Sequence, residues 1–329
     1  MKIAIDAMGG EFAPQAVVEG AIQAAEKSKA ELVLVGDKKA IEKELRKYRR
    51  FPAISVYPAS QVIEMHDSPS ISIRRKKDSS IVKAVKLAKE GKIEAVVTAG
   101  NTGAAVAASV LSLRTLKGVD RPAIAIPLPT RQGVSVLLDV GANVDCKPRH
   151  LFQFGVMGEV YVRHILKKRN LRIALLNIGE EETKGNTLTK SAYKLFGNKE
   201  LNFIGNIEGR DLFSGKADVI VCDGFVGNII LKVSESLERI FKEFLREEIS
   251  KEIVSKIGAY LMGSAFKGMK KKTDYSEYGG APLLGINGVC IIAHGSSSAK
   301  AIKNAIFVAE KFIDYEINRH IVENIGKYA

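Results

Sequence analysis

Short apolar runs alternate along this chain with clusters of Gly, Asn, Asp and Ser, a repetition that predicts successive strand, loop and helix units. The runs and their loops are IAIDAMGG (3–10), AVVTAGNTGA (95–104), VSVLLDVGANVD (134–145), IALLNIGEEETKGN (173–186), VIVCDGFVGN (219–228) and VCIIAHGSSS (289–298). Short, β-branched, turn-bounded segments predict strands at 2–6, 31–36, 54–57, 94–98, 123–127, 134–140, 172–177, 202–205, 218–222 and 289–293. Helical stretches lie between many of them, as at 14–28, 81–90, 148–168 and 297–318. The expected fold is a layered α/β sandwich with a mostly parallel sheet. In such sheets the loops gather at the carboxyl edge of the strands, where helix N-termini present free N–H groups to anions.

One segment departs from this rhythm. Across 234–260, Leu237, Ile240, Phe241, Phe244, Leu245, Ile249, Ile253 and Ile257 recur at steps of three and four, predicting a long helix with one apolar stripe. Such a stripe fits a buried helix or a subunit contact. Leu261, Met262, Phe266 and Met269 follow among small residues, and then Lys270, Lys271 and Lys272. Apolar side chains beside a lysine cluster suit an anionic membrane surface, and a loop packed on its own protein is the alternative.

Composition narrows the class. The 329 residues are 46% hydrophobic, enough for one large α/β unit spanning 1–329. The amino terminus lacks the order of a signal peptide, and no apolar run reaches the roughly 20 residues that span a bilayer, so a cytoplasmic protein is expected. Cys146, Cys222 and Cys290 are far apart and lack CxxC spacing, so they read as reduced packing residues rather than zinc ligands or a disulfide framework. No HxH or HExxH spacing calls for a metal. Lys plus Arg exceed Asp plus Glu by 50 to 37, a net charge of +13 that favours acidic partners. The absence of tryptophan and of aromatic-interleaved basic motifs argues against nucleic acid.

The loops carry the chemistry. No Walker GxxxxGK[ST] is present, and the first strand ends in DAMGGEF rather than GxGxxG, so neither ATP nor NAD is indicated and no cofactor is expected. GNTG at 100–103 opens a helix, where glycine permits close backbone approach to phosphate. DAMGG, TAGNTGA, DVGANVDCKP, NIGEEETKGN, CDGFVGN, GGAPLLGINGV and AHGSSS stand in this order across nearly the whole chain. The series closely resembles the bacterial phosphate acyltransferase family PlsX.

The resemblance implies conversion of acyl-acyl carrier protein and inorganic phosphate to acyl phosphate, feeding phospholipid synthesis. It also implies a homodimer with a fold akin to isocitrate and isopropylmalate dehydrogenases, and a projecting helical segment, 234–275, whose tip touches the membrane. It puts Lys184 and Asn228 at the reacting centre. One position departs from the family, which usually reads DAMGGD where this chain has Glu11.

The chemistry suits these residues. Phosphate is already an anion and a thioester already activated, so the site's main work is electrostatic stabilisation of the tetrahedral oxyanion. Backbone N–H groups at Gly9, Gly10, Gly103 and Gly295, with Asn101, Thr102 and Ser296, are candidate donors. Asn143 and Gly227 join the phosphate- and substrate-binding candidates. Lys184 supplies a point charge for phosphate. His294, directly after a strand, is a candidate donor to phosphate or the leaving sulfur, with structural hydrogen bonding as the alternative. Asp6, Asp139 and Asp223 at strand ends would orient cations or N–H donors, or cap helices. Two other classes stay open: a phosphotransacetylase-like enzyme acting on acyl-CoA, and a non-enzymatic regulator that binds acyl carrier protein through its basic face.

Overall fold

A computed structural model describes residues 1–48, 54–197, 200–273 and 278–328, with the backbone alone at 270–273. The first half of the chain runs β1 (Lys2–Asp6), α1 (Gln15–Ala25), β2 (Glu31–Gly36), α2 (Lys38–Leu45), β3 (Ile54–Pro58), α3 (Pro69–Arg75), α4 (Ser80–Lys89), β4 (Ala95–Thr98) and α5 (Thr102–Leu113). There follow β5 (Ala123–Ile124), β6 (Ile126–Thr130), β7 (Gly133–Leu138), α6 (Pro148–Ile165), β8 (Ile173–Leu176), α7 (Thr187–Gly197), β9 (Phe203–Ile207) and β10 (Val219–Val221). The remainder is α8 (Gly224–Lys251), α9 (Ile253–Leu261), α10 (Gly263–Thr273), β11 (Ala281–Leu284), β12 (Val289–Ile292), α11 (Ala299–Asp314) and α12 (Ile317–Lys327).

These strands build two sheets. The larger has the order β3-β2-β1-β4-β12-β11-β5, and the smaller β6-β7-β10-β8-β9. All neighbours are parallel except β11 with β12 and β5, and β6 with β7. Central strands are covered on both faces, as their near-continuous apolar sequences require. Alternate residues feed opposite cores: Ile3 and Ile5 of β1 join one with Leu138 and Ile173, while Ala4 joins the other with Leu137 and Ala174. Each core thus runs through both sheets, and each fully buried Ile or Leu contributes about 1.5–3 kcal/mol.

The structure corrects three predicted elements and adds a strand. The strand expected at 123–127 is two strands in different sheets, divided at Ala125, whose N–H still bonds to Pro282 O of β11 (3.1 Å) before the chain enters the smaller sheet as β6. Pro127 and Pro129 sit in β6 because it is an edge strand, where a missing N–H costs no ladder bond. β11 was not expected at all; its four residues, with Pro282 among them, lie inside the GGAPLLGINGV motif and carry too little periodicity to read. The helix expected from 234 begins at Gly224, ends where Glu252 adopts extended backbone, and resumes as α9. The stretch 297–318 breaks at Glu316, which takes a left-handed conformation at φ 47° between α11 and α12.

Candidate active site

Three loops of the larger sheet converge because β1, β4 and β12 are adjacent and parallel. The N–H of Glu11 donates to Gly295 O (2.8 Å), and that of Ala293 to Thr98 O (2.7 Å). The glycines after β1 answer this crowding. A Cβ at Gly9 would lie 2.7 Å from Gly100 N, and Gly10, at φ +103°, would bring one 2.9 Å from Gly295 O. Asp6 is buried beneath them, accepting from Thr98 Oγ1 (2.7 Å) and Met8 N–H (3.3 Å). Burial raises its carboxyl above the ordinary range, and hydrogen bonds from Ser80 and Thr98 oppose the rise.

The second group of loops leaves the parallel strands β7, β10 and β8 of the smaller sheet. Asp139 follows β7 and is fully buried. It accepts from Ile124 N (2.9 Å), Asn143 N (2.7 Å) and Asn143 Nδ2 (2.8 Å), so one carboxylate ties β5 of the larger sheet to the smaller sheet. Burial raises it to about 6, against the pull of the Asn143 and backbone hydrogen bonds. Asn143 O in turn accepts from Gly224 N (2.8 Å), docking the start of α8. Asp223 caps α8 by accepting from Val226 N (2.9 Å). Gly227 has no room for a side chain, since a Cβ there would fall 1.9 Å from Asp139 O.

A cavity of about 2040 Å³ opens where the two groups face each other. Its polar lining includes Glu11, Thr102, Asn228, Lys232, Glu235 and His294. Thr102 and Gly103 start α5, Gly224 and Phe225 start α8, and Ser297 directly precedes the Ser298 cap of α11. Three helix N-termini therefore meet one cavity, an arrangement that favours an anion. Its apolar lining comes from β5, β6 and α8, among them Ile126, Leu128, Leu231, Leu237 and Phe241. The volume exceeds the roughly 300–1,000 Å³ of ordinary small-molecule pockets.

Of the residues expected at the site, Thr102, Gly103, Asn228, His294 and Gly295 line this cavity. Gly9, Gly10 and Gly227 are not among its lining residues, and each sits where a Cβ would crowd neighbouring backbone. Asn101 caps α5 through Ala104 N (3.0 Å), while its Nδ2 faces the carbonyls of Glu64, Met65 and Asp67, which leaves no amide proton for phosphate. Asn143 is likewise committed, its Nδ2 donating to Pro122 O (2.6 Å) and Asp139. Asp6, Asp139 and Asp223 hold backbone and caps. Lys184 lies in an exposed loop after β8, held where Asn177 Nδ2 donates to Lys184 O (3.1 Å) and Asn206 Nδ2 to Glu181 O (2.9 Å). It shares the carboxyl edge of the sheet with Asn228 but is not among the cavity's lining residues.

Sequence reasoning missed Glu235. Its signal was spacing: Asn228, Leu231, Lys232 and Glu235 stand at i, i+3, i+4 and i+7 of one helix face, and all four line the cavity. Burial pushes the Cys146 thiol up to about 12 and Cys290 up to about 11, and raises Cys222 as well, which disfavours the thiolate form.

Beyond the cavity, α8 and α9 expose a continuous apolar face. Val254 is 78% exposed and Leu261 75%, and no residue of α9 is buried. Met262 and Met269 are exposed and Phe266 half-buried. The side chains of Lys270, Lys271 and Lys272 lie outside the described residues, as do 274 and 275 at the end of the segment. Among the described residues no helix is long and apolar enough to cross a membrane.

A family model described as fatty acid synthesis protein matches residues 1–320. The chain is 52% identical over 325 residues to a phosphate acyltransferase of Pelotomaculum thermopropionicum, covering 99% of this chain and 95% of that protein. A phosphate acyltransferase of Geobacter sulfurreducens is 50% identical over 326 residues, covering 99% and 94%. A crystal structure of a phosphotransacetylase from Streptococcus pyogenes superposes with a TM-score of 0.63 at 18% identity, covering 95% of this chain and 94% of that one. That likeness is one of fold.

Proposed function

The chain belongs to the fatty acid synthesis protein family that includes these phosphate acyltransferases, and from that premise we propose that it transfers a long-chain acyl group from acyl carrier protein to inorganic phosphate. The observation that carries the reading is one cavity with two chemistries: helix N-termini of α5, α8 and α11 for an anion, and an apolar wall from β6 and α8 for a hydrocarbon chain. Phosphate attacks the thioester carbonyl, and Asn228 with the N–H groups of the helix starts stabilises the oxyanion, each well-placed donor being worth roughly 3 kcal/mol. Lys184 neutralises phosphate after its loop moves toward the cavity or after a second copy presents it.

The exposed face of α8 and α9 supports a homodimer, and the tip at Leu261, Met262, Phe266 and Met269 supports peripheral attachment to anionic lipid from the cytoplasmic side. Acyl phosphate has a greasy tail and a labile anhydride, so handing it over at a bilayer surface avoids transit through water. The test is direct. Purified protein with long-chain acyl-acyl carrier protein and phosphate should yield acyl phosphate, trapped as a hydroxamate, and acyl-CoA in parallel measures carrier preference. Carrier protein released equally well without phosphate would make the protein a thioesterase and overturn the reading.

A further inference from the structure

His294 is held from both sides of the cavity. Its Nε2 lies 3.4 Å from Glu235 Oε1, and its Nδ1 lies 3.1 Å from the backbone N of Ser296 and 2.8 Å from Ser296 Oγ. A backbone N–H only donates, so Nδ1 of the neutral ring must offer its lone pair, and the ring proton sits on Nε2, facing a carboxylate that only accepts. The tautomer follows from these partners. Glu235 is itself placed by Lys232, whose Nζ is 2.9 Å from Oε2. Burial works to raise the Glu235 carboxyl, and the hydrogen bonds from His294 and Lys232 outweigh it, leaving the group below its ordinary value and ionised at neutral pH. Glu235 comes from α8, which follows the smaller sheet, and His294 from the loop after β12 of the larger one, so the pair spans the two halves of the cavity wall.

We infer that Glu235 is a positioning residue for the acyl transfer, fixing the orientation and tautomer of His294 and stabilising its charge when it carries a second proton. The role rests on the proposed reaction. Converting hydrogenphosphate and a thioester to acyl phosphate and a thiol moves one proton from phosphate to the departing sulfur. An imidazole that takes that proton at Nδ1 through the Ser296 hydroxyl, giving up the bond from Ser296 N–H while Ser296 Oγ accepts from the new Nδ1–H, and then returns it to sulfur balances the reaction with no other acid or base. The carboxylate at Nε2 stabilises the imidazolium in between, as a buried acid does for a histidine base.

The test compares Glu235→Leu with Glu235→Gln in the full-length protein. Glu235→Leu should lower kcat about tenfold or more while KM for phosphate and acyl donor stays within about twofold, and Glu235→Gln, which keeps an acceptor for Nε2–H but not the charge that stabilises the imidazolium, should recover only part of the loss. Nitrogen NMR of labelled histidine should show His294 protonated at Nε2 in the wild type and in Glu235→Gln, with that population reduced in Glu235→Leu. An unchanged kcat in Glu235→Leu, unchanged ring signals, or a loss that tracks thermal unfolding would overturn the role. A wild-type protein that makes no acyl phosphate sinks the acyl-transfer reading instead, and the ring signals still report the contact with Glu235.

Discussion

The two ends of the helical segment that starts at Gly224 use the same kind of sequence for opposite purposes. The first three turns of α8 are clamped: Asp223 caps them, Asn143 receives Gly224 N, and Gly227 lies against the backbone of Asp139. From Leu237 to Leu261 the same amphipathic stripe is largely exposed, with Leu237, Phe241 and Phe244 along the open wall of the cavity and Ile253, Ile257 and Leu261 further out. Rigid backbone at one end places Asn228 and Glu235 at the cavity, whereas unsatisfied apolar area at the other calls for a second surface. Periodicity is common to both ends; what differs is whether a sheet edge stands beside them.

The strongest way to break this contrast is to loosen the clamped end. Gly227→Val should destabilise the fold by about 3 kcal/mol or more in urea titration, because its side chain collides with the Asp139 carbonyl. Gly258→Ala, where an added Cβ meets nothing, should leave the midpoint unchanged or raise it slightly. Equal destabilisation by the two changes would mean that the ends are equally packed.

Asp139 beneath that clamp gives a pH signature. Its carboxyl rises from 3.8 to about 6 on folding, so the native state binds the proton more tightly and stability falls as pH rises from about 4 to about 6. The contribution, about 3 kcal/mol at full protonation, is gone above that window. Asp139→Asn should flatten this part of the urea stability profile, leaving the trend of the same sign from Asp6, whose carboxyl is also raised. A wild-type profile that climbs between pH 4 and 6 would show that Asp139 is ionised without penalty.

For chemistry, Asn228→Ala should cut turnover by about 100-fold with melting unchanged, the scale of one lost oxyanion donor. Lys184→Ala should match it if the loop after β8 reaches the cavity during turnover, and a near-normal Lys184→Ala would leave the cation's role elsewhere. The smallest effect belongs to the free end. Replacing Leu261 and Phe266 by Glu should release the protein from anionic liposomes, and high salt should weaken wild-type binding, both without loss of activity on the carrier substrate. Unchanged sedimentation of that variant would make the segment ordinary packing surface.

Much of the fold was legible because apolar runs ending in Gly and Asn admit few alternatives. The strands at 2–6 and 31–36 were read to the residue, and the helix expected to open at GNTG begins at Thr102 within it. At 123–127 the reading failed, since nothing local tells Ala125 to leave one sheet for another. The site was half legible: Asn228 and His294 line the cavity, whereas Asn101 and Asn143, of the same residue type and in similar loops, spend their amides on backbone carbonyls.

The sequence by itself determined the α/β class, the edge at which the loops gather, and the phosphate acyltransferase resemblance, because each rests on local periodicity or on motif order. Only the tertiary structure decided which polar side chains face the cavity and which are consumed by the fold. It alone brought Glu235 to His294, 59 positions away, fixing the tautomer of the ring. The physical reason is that a donor or acceptor buried near backbone is claimed by the nearest partner, and neighbours in space are set by sheet order, which no local pattern encodes.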